Sequence, residues 1–103
     1  MNATELLELE MKKVLVGTSL EKSDVQLLSY SEDGELTVAY DISGGPSDSA
    51  AEKKVLEYLR GLGLSIDGYG EELDIPASEG FRVYTTSEEK SLEALCRKNS
   101  LKV

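Results

Sequence analysis

The 103 residues carry 20 acidic and 11 basic side chains, a net charge of −9, with no histidine, no tryptophan and a single cysteine. That inventory excludes a disulfide scaffold, a zinc ribbon, a coiled coil and a collagen-like fibre, along with every mechanism that needs an imidazole. Leu, Ile, Val and Phe together make 27 residues, enough for a charged chain to collapse, so one domain over residues 1–103 with a real core is expected.

The segment Ala3 to Val16 reads as a helix. Ala3, Leu7, Met11, Val14 and Leu15 fall in one stripe at 100° per residue, while Glu8 and Lys12 stand as an i,i+4 pair on the wet side and Gly17 offers a stop. Its acids precede its lysines, the reverse of a basic leader, and no apolar run in the chain approaches the ~20 residues that cross a bilayer. With a lone cysteine, the expectation is a cytoplasmic protein without membrane association.

Residues 18–24 form a polar connector. Val25 to Ile42 then carries the clearest hairpin signal: Leu36, Val38, Tyr40 and Ile42 alternate with Glu35, Thr37, Ala39 and Asp41, the period of a half-buried strand. Two turns compete. A three-residue Glu32-Asp33-Gly34 turn with a G1 bulge sets Tyr30 opposite Leu36 and Leu28 opposite Val38; a two-residue Asp33-Gly34 turn sets Ser31 and Ser29 there. Matching apolar to apolar favours the bulge, which turns Val25, Leu27 and Ala39 to the exposed face of the sheet.

After the loop Ser43-Gly44-Gly45-Pro46-Ser47, a capping box at Ser49-Ala50-Ala51-Glu52 opens a second helix with Ala51, Val55, Tyr58, Leu59 and Leu62 on one face. Leu64 and Ile66 start a strand that Asp67-Gly68-Tyr69-Gly70 breaks, with Leu73 and Ile75 as an optional resumption. Phe81 to Thr85 is a strand. A second capping box, Thr86-Ser87-Glu88-Glu89, opens a last helix with Leu92, Leu95 and Cys96 inward. The order α-β-β-α-β-(β)-β-α predicts an α+β two-layer sandwich, a mostly antiparallel sheet of four or five strands with three helices on one face. Residues 25–62 and 64–99 each read as a hairpin followed by a helix.

Chemical motifs are sparse. Two Ser-x-x-Lys strings, at Ser19 and Ser87, lack the companion motifs of serine acyltransfer enzymes. Gly61 and Gly63 follow a helix and precede a strand, the wrong order for a dinucleotide loop. The acids between Asp67 and Asp74 do not match calcium-loop spacing. Cys96 reads as a buried, inert thiol, and the five tyrosines lack interleaved basic residues of the kind that accompany RNA stacking. No catalytic residue, cofactor or metal ligand is assigned. The helix-strand-strand-helix opening resembles one arrangement of KH-like RNA-binding domains, without their Gly-x-x-Gly loop, and no function follows from it.

The charge is divided. Residues 31–50 and 61–80 hold half of the acids and no basic residue. The expectation is therefore a small acidic, non-enzymatic interaction module, monomeric or weakly dimeric, with Asp67, Glu71, Glu72, Asp74, Glu32 and Asp33 meeting a basic protein partner and disfavouring nucleic acid. The alternative is a nucleic-acid-associated domain using Lys53, Lys54, Arg60, Arg97 and Lys98.

Overall fold

A computed structural model describes residues 1–70 and 80–102. It is an α+β sandwich. Among the described residues seven elements follow in order: helix α1 (Ala3–Leu15), strands β1 (Asp24–Glu32) and β2 (Glu35–Ser43), helix α2 (Ser49–Gly61), strands β3 (Ser65–Tyr69) and β4 (Gly80–Ser87), and helix α3 (Leu92–Lys98). The strands form one antiparallel sheet in the order β1-β2-β4-β3, so the two hairpins join through their second strands. The helices cover one face: α1 packs on β1, α2 and α3, and α2 packs on β3. Leu73 and Ile75, the optional resumption of the third strand, lie outside the described residues.

Each helix begins at a side-chain cap. Asn2 accepts from the Glu5 amide at 2.8 Å, and the Glu5 carboxylate reaches back to the Asn2 amide, a complete capping box for α1. The other two starts differ from expectation. The cap of α2 is Asp48, whose Oδ1 accepts from the Ala51 amide at 2.8 Å; Ser49 is the first helical residue, and Glu52 accepts from the Ser47 hydroxyl instead. The cap of α3 is Ser91, well past Thr86. Thr85, Thr86 and Ser87 are held by pairing with Val38, Thr37 and Leu36, so β4 claims the residues that would have opened the helix. Ser87 still accepts locally, from the Glu89 amide at 3.0 Å. Competition between a local cap and a sheet ladder is settled here by the ladder, which buries Thr85 and Ser87.

The hairpin turn also corrects the expected register. Glu32 pairs with Glu35, Ser31 with Leu36 and Ser29 with Val38, so the connection is the two-residue Asp33-Gly34 turn without a bulge. Asp33 at φ 52° and Gly34 at φ 82° both occupy the left-handed region that a type I′ turn demands, and that turn's twist matches the twist of the flanking strands. Apolar matching loses because the helices do not cover the distal half of β1: every residue from Leu28 to Glu32 is exposed. With nothing to bury against, that half has no preferred face, and the turn decides.

The core lies between the sheet and the helices. Leu36, Val38, Tyr40 and Ile42 of β2 and Phe81 and Val83 of β4 meet Leu7, Met11, Leu15, Val55, Leu59, Leu95 and Cys96. Thr85 is accommodated there because its hydroxyl donates to the Val38 carbonyl at 2.8 Å. Leu20, inside the stretch that reads as a polar connector, is 0% exposed and plugs the core. Backbone bonds Thr18 to Leu15, Glu21 to Thr18 and Ser23 to Leu20 wind the connector tightly enough to aim it inward.

Candidate functional site: the open face of the sheet

The register determines what the uncovered face presents. On β1 it places Asp24, Gln26, Leu28, Tyr30 and Glu32 outward; on β2, Glu35, Thr37, Ala39 and Asp41; on β4, Arg82, Tyr84 and Thr86. The sequence-based reading of this face is corrected. Leu27 is buried on the helix side and Val25 is half-buried there, while Leu28 and Tyr30, expected inside, are 60% and 56% exposed. Only Ala39 stands on the open face as anticipated.

Paired residues line up across the strands. Leu28 faces Ala39, Ala39 faces Tyr84, and Tyr84 faces Gly68, an apolar row spanning the sheet. Beside it runs the row Tyr30, Thr37, Thr86 and Ser65. Ala39 on β2 lies between the larger Leu28 of β1 and Tyr84 of β4, which makes a shallow trough at that position, whereas Thr37 faces a residue of its own size in Thr86. Ala39 is only 8% exposed although no helix covers it, because Leu28 and Tyr84 flank it.

Carboxylates frame the trough. Asp24 and Glu32 stand at the ends of β1, Glu35 opposite Glu32, and Asp67 on β3 accepts from the Thr86 hydroxyl at 3.4 Å. The one basic residue directed outward from the four strands is Arg82, whose Nη2 binds Asp41 Oδ2 at 3.0 Å. That pair is partly exposed, so its contribution to stability is about 1 kcal/mol or less. Its larger consequence is that Arg82 is neutralised and the face keeps a negative potential.

Three of the predicted acidic residues lie among the described residues. Glu32 and Asp33 stand at the β1–β2 turn; Asp67 lies on the opposite edge strand, across β2 and β4. Glu71, Glu72 and Asp74 lie outside the described residues. Gly80, the first described residue after them, pairs with Ser43 at the end of the sheet away from the turn. Among the described residues no three Asp, Glu or Cys side chains are grouped to hold a metal ion, and no helix is long and apolar enough to cross a membrane.

The basic residues of the alternative are mostly engaged elsewhere. Lys53 lies 4.0 Å from Glu57, Lys98 3.8 Å from Glu89, and Lys54 donates to the Val16 carbonyl at 3.4 Å. An open groove of about 350 Å³ between α2 and Tyr69 includes Glu52, Lys53, Glu57 and Arg60, alternating in sign. Tyr69 stacks obliquely on Phe81 with ring centroids 5.9 Å apart, and so closes the core at this edge.

The buried titratable groups face the core. Burial holds the Tyr40 phenol well above its ordinary value, with Tyr58, Cys96 and Glu8 adding to the effect. Burial, then Glu10 and Cys96, push Tyr58 up to about 12. Cys96 is fully enclosed, and burial followed by Glu93 raises its thiol, the opposite of an activated nucleophile.

The exposed pair Leu28 and Tyr30 escaped the sequence reading, although its signal was available: Asp33-Gly34 is the strongest short-range mark of a two-residue hairpin turn, and that turn alone sends both residues outward. No family model matches the chain, and neither a curated protein nor a solved structure matches it.

Proposed function

We propose that this chain is a non-enzymatic protein-interaction module whose open sheet face receives a basic protein partner. The observation that carries the reading is the apolar group on the open face: Leu28 and Tyr30 are exposed beside Ala39 and Tyr84, within a frame of Asp24, Glu32, Glu35 and Asp67. Apolar side chains grouped on a regular strand and rimmed by charge are typical of contact surfaces, where aromatic residues supply area at low entropic cost. The single-sign rim selects for lysine- or arginine-bearing partners and steers them inward. A net charge of −9 opposes the phosphate backbone in the same way.

The test is a titration of the ¹⁵N-labelled full chain with an end-capped Lys-Thr-Val-Thr-Val-Thr-Lys peptide, whose lysines and valines share one face when extended, and separately with single-stranded oligouridine. The peptide should shift the amides of Leu28, Tyr30, Thr37, Ala39 and Tyr84. The double variant Leu28→Ser, Tyr30→Ser should weaken it about tenfold or more, since each side chain offers burial worth about 1.5 kcal/mol or more. Peptide shifts confined to α2 and α3 would refute the assignment of this face. Oligonucleotide binding at Lys53, Lys54, Arg60, Arg97 and Lys98 that weakens steeply with salt would put the nucleic-acid reading in its place.

A further inference from the structure

The two edges of the sheet are finished differently. Strand β3 is short, packs against α2, and its register shifts between Ile66 and Gly68, so an irregular ladder blunts that edge. Strand β1 is the opposite case. Its register runs unbroken from Asp24 opposite Ser43 to Glu32 opposite Glu35, and between those two terminal acids it contains no proline, no bulge and no charged residue. These are the usual devices that keep a strand edge from pairing with another chain.

Geometry identifies which backbone groups lie on that edge. A two-residue turn makes Glu32 and Glu35 exchange both hydrogen bonds, and antiparallel alternation then directs the N–H and C=O of Ser31, Ser29, Leu27 and Val25 away from β2. An independent contact fixes the same parity: the Leu27 amide donates to Glu8 Oε2 of α1 at 2.8 Å. Among the described residues that carboxylate is the one side chain bonded to the β1 backbone. Beyond it, Ser29 and Ser31 are exposed on the helix side as well, because the helical layer ends short of them.

We infer that the partner adds an extended strand to the β1 edge, bonding to the outward groups of Ser29 and Ser31; this rests on the basic-partner reading above and names its mode. Backbone bonds supply the affinity in such strand addition, and alternate side chains supply the specificity. The added strand sets apolar side chains beside Leu28 and Tyr30 and lysine or arginine near Glu32. A second copy of this chain is a poor occupant, since it brings another net charge of −9 and an edge whose only ionised residues are acids.

The experiment compares the lysine–valine peptide with the same peptide methylated on every backbone nitrogen, which keeps charge and side chains while removing the donors of both its edges. The unmodified peptide should slow amide exchange at Ser29 and Ser31 about tenfold or more, and the methylated one should bind about tenfold more weakly. Ser29→Pro should weaken the unmodified peptide similarly while leaving the thermal midpoint near that of the parent, because the lost N–H makes no bond to β2. Equal binding of both peptides, with Ser29 and Ser31 unprotected, overturns strand addition and leaves the basic-partner face standing. Binding of neither peptide removes both readings. A concentration-dependent dimer that protects Ser29 and Ser31 without peptide overturns the inference by giving the edge to a second copy.

Discussion

Tyr40 offers the sharpest test of how this core is built. Its ring is 0% exposed in the middle of β2, and among the described residues its hydroxyl has no hydrogen-bond partner. An unpaired buried hydroxyl costs about 1–3 kcal/mol in proteins. Tyr40→Phe removes that oxygen and keeps the ring, leaving a void smaller than a methyl group, whose cost is below about 1 kcal/mol. The net expectation is a gain of about 1 kcal/mol, or about 4–8 °C in thermal midpoint for a domain of this size. The pH dependence supplies a second, independent readout. Burial raises the folded-state pKa of Tyr40 above the ordinary tyrosine value of 10.0, so its contribution is complete below about pH 10 and is lost as pH climbs toward the folded-state value. Tyr58, pushed up to about 12, acts in the same direction. Each such group removes about 1.4 kcal/mol per pH unit once the unfolded chain ionises. The Phe variant loses one of these two contributions, so its advantage should grow from about 1 kcal/mol at pH 8 to about 2 kcal/mol at pH 11. Urea denaturation of both proteins across that range measures both effects. A destabilised Phe variant at pH 8 would show that the hydroxyl is satisfied in solution, and parallel pH profiles would show that it ionises as readily folded as unfolded; either result would refute the reasoning.

Other substitutions probe particular joints of the fold. Asp48→Ala should cost about 1 kcal/mol in urea denaturation and Ser49→Ala a few tenths, because Asp48 holds the Ala51 amide while Ser49 is the first helical residue; the reverse order would restore Ser49 as the cap. Gly80→Ala should destabilise by about 3 kcal/mol or more, since a Cβ there would overlap the Ile42 carbonyl oxygen at a φ of 146°, and a normal melting curve would refute this packing of β4 on β2. Glu8→Ala should accelerate exchange of the Leu27 amide and cost about 1–2 kcal/mol by stripping the β1 edge of its carboxylate. Cys96 should react with an aromatic disulfide reagent only as fast as the domain opens, and rapid labelling of the native protein would contradict its enclosure.

Much of the architecture was legible in local patterns. The stripe Ala3, Leu7, Met11 and Leu15 and the inward trio Leu92, Leu95 and Cys96 are buried as their spacing implies, and the alternation from Leu36 to Ile42 marks a strand with one face in the core. These signals survive because they repeat with the period of the element that displays them, so no distant neighbour is needed to read them. The candidate site is another matter. Whether Leu28 and Tyr30 face the core or the solvent depends on a one-residue difference in pairing, and on where the helical layer ends.

Residue types and their order therefore determined that the described residues form three amphipathic helices and paired strands, and that the chain does so without imidazole chemistry and under a strong negative charge. Tertiary structure alone decided the start of α3, which yields Thr86 and Ser87 to β4, and the inward turn of Leu20. It also decided the outward display of Leu28 and Tyr30 and the bare edge at Ser29 and Ser31. The reason is common to all of these: periodicity reports a face of an element, while burial of that face depends on which other element reaches it.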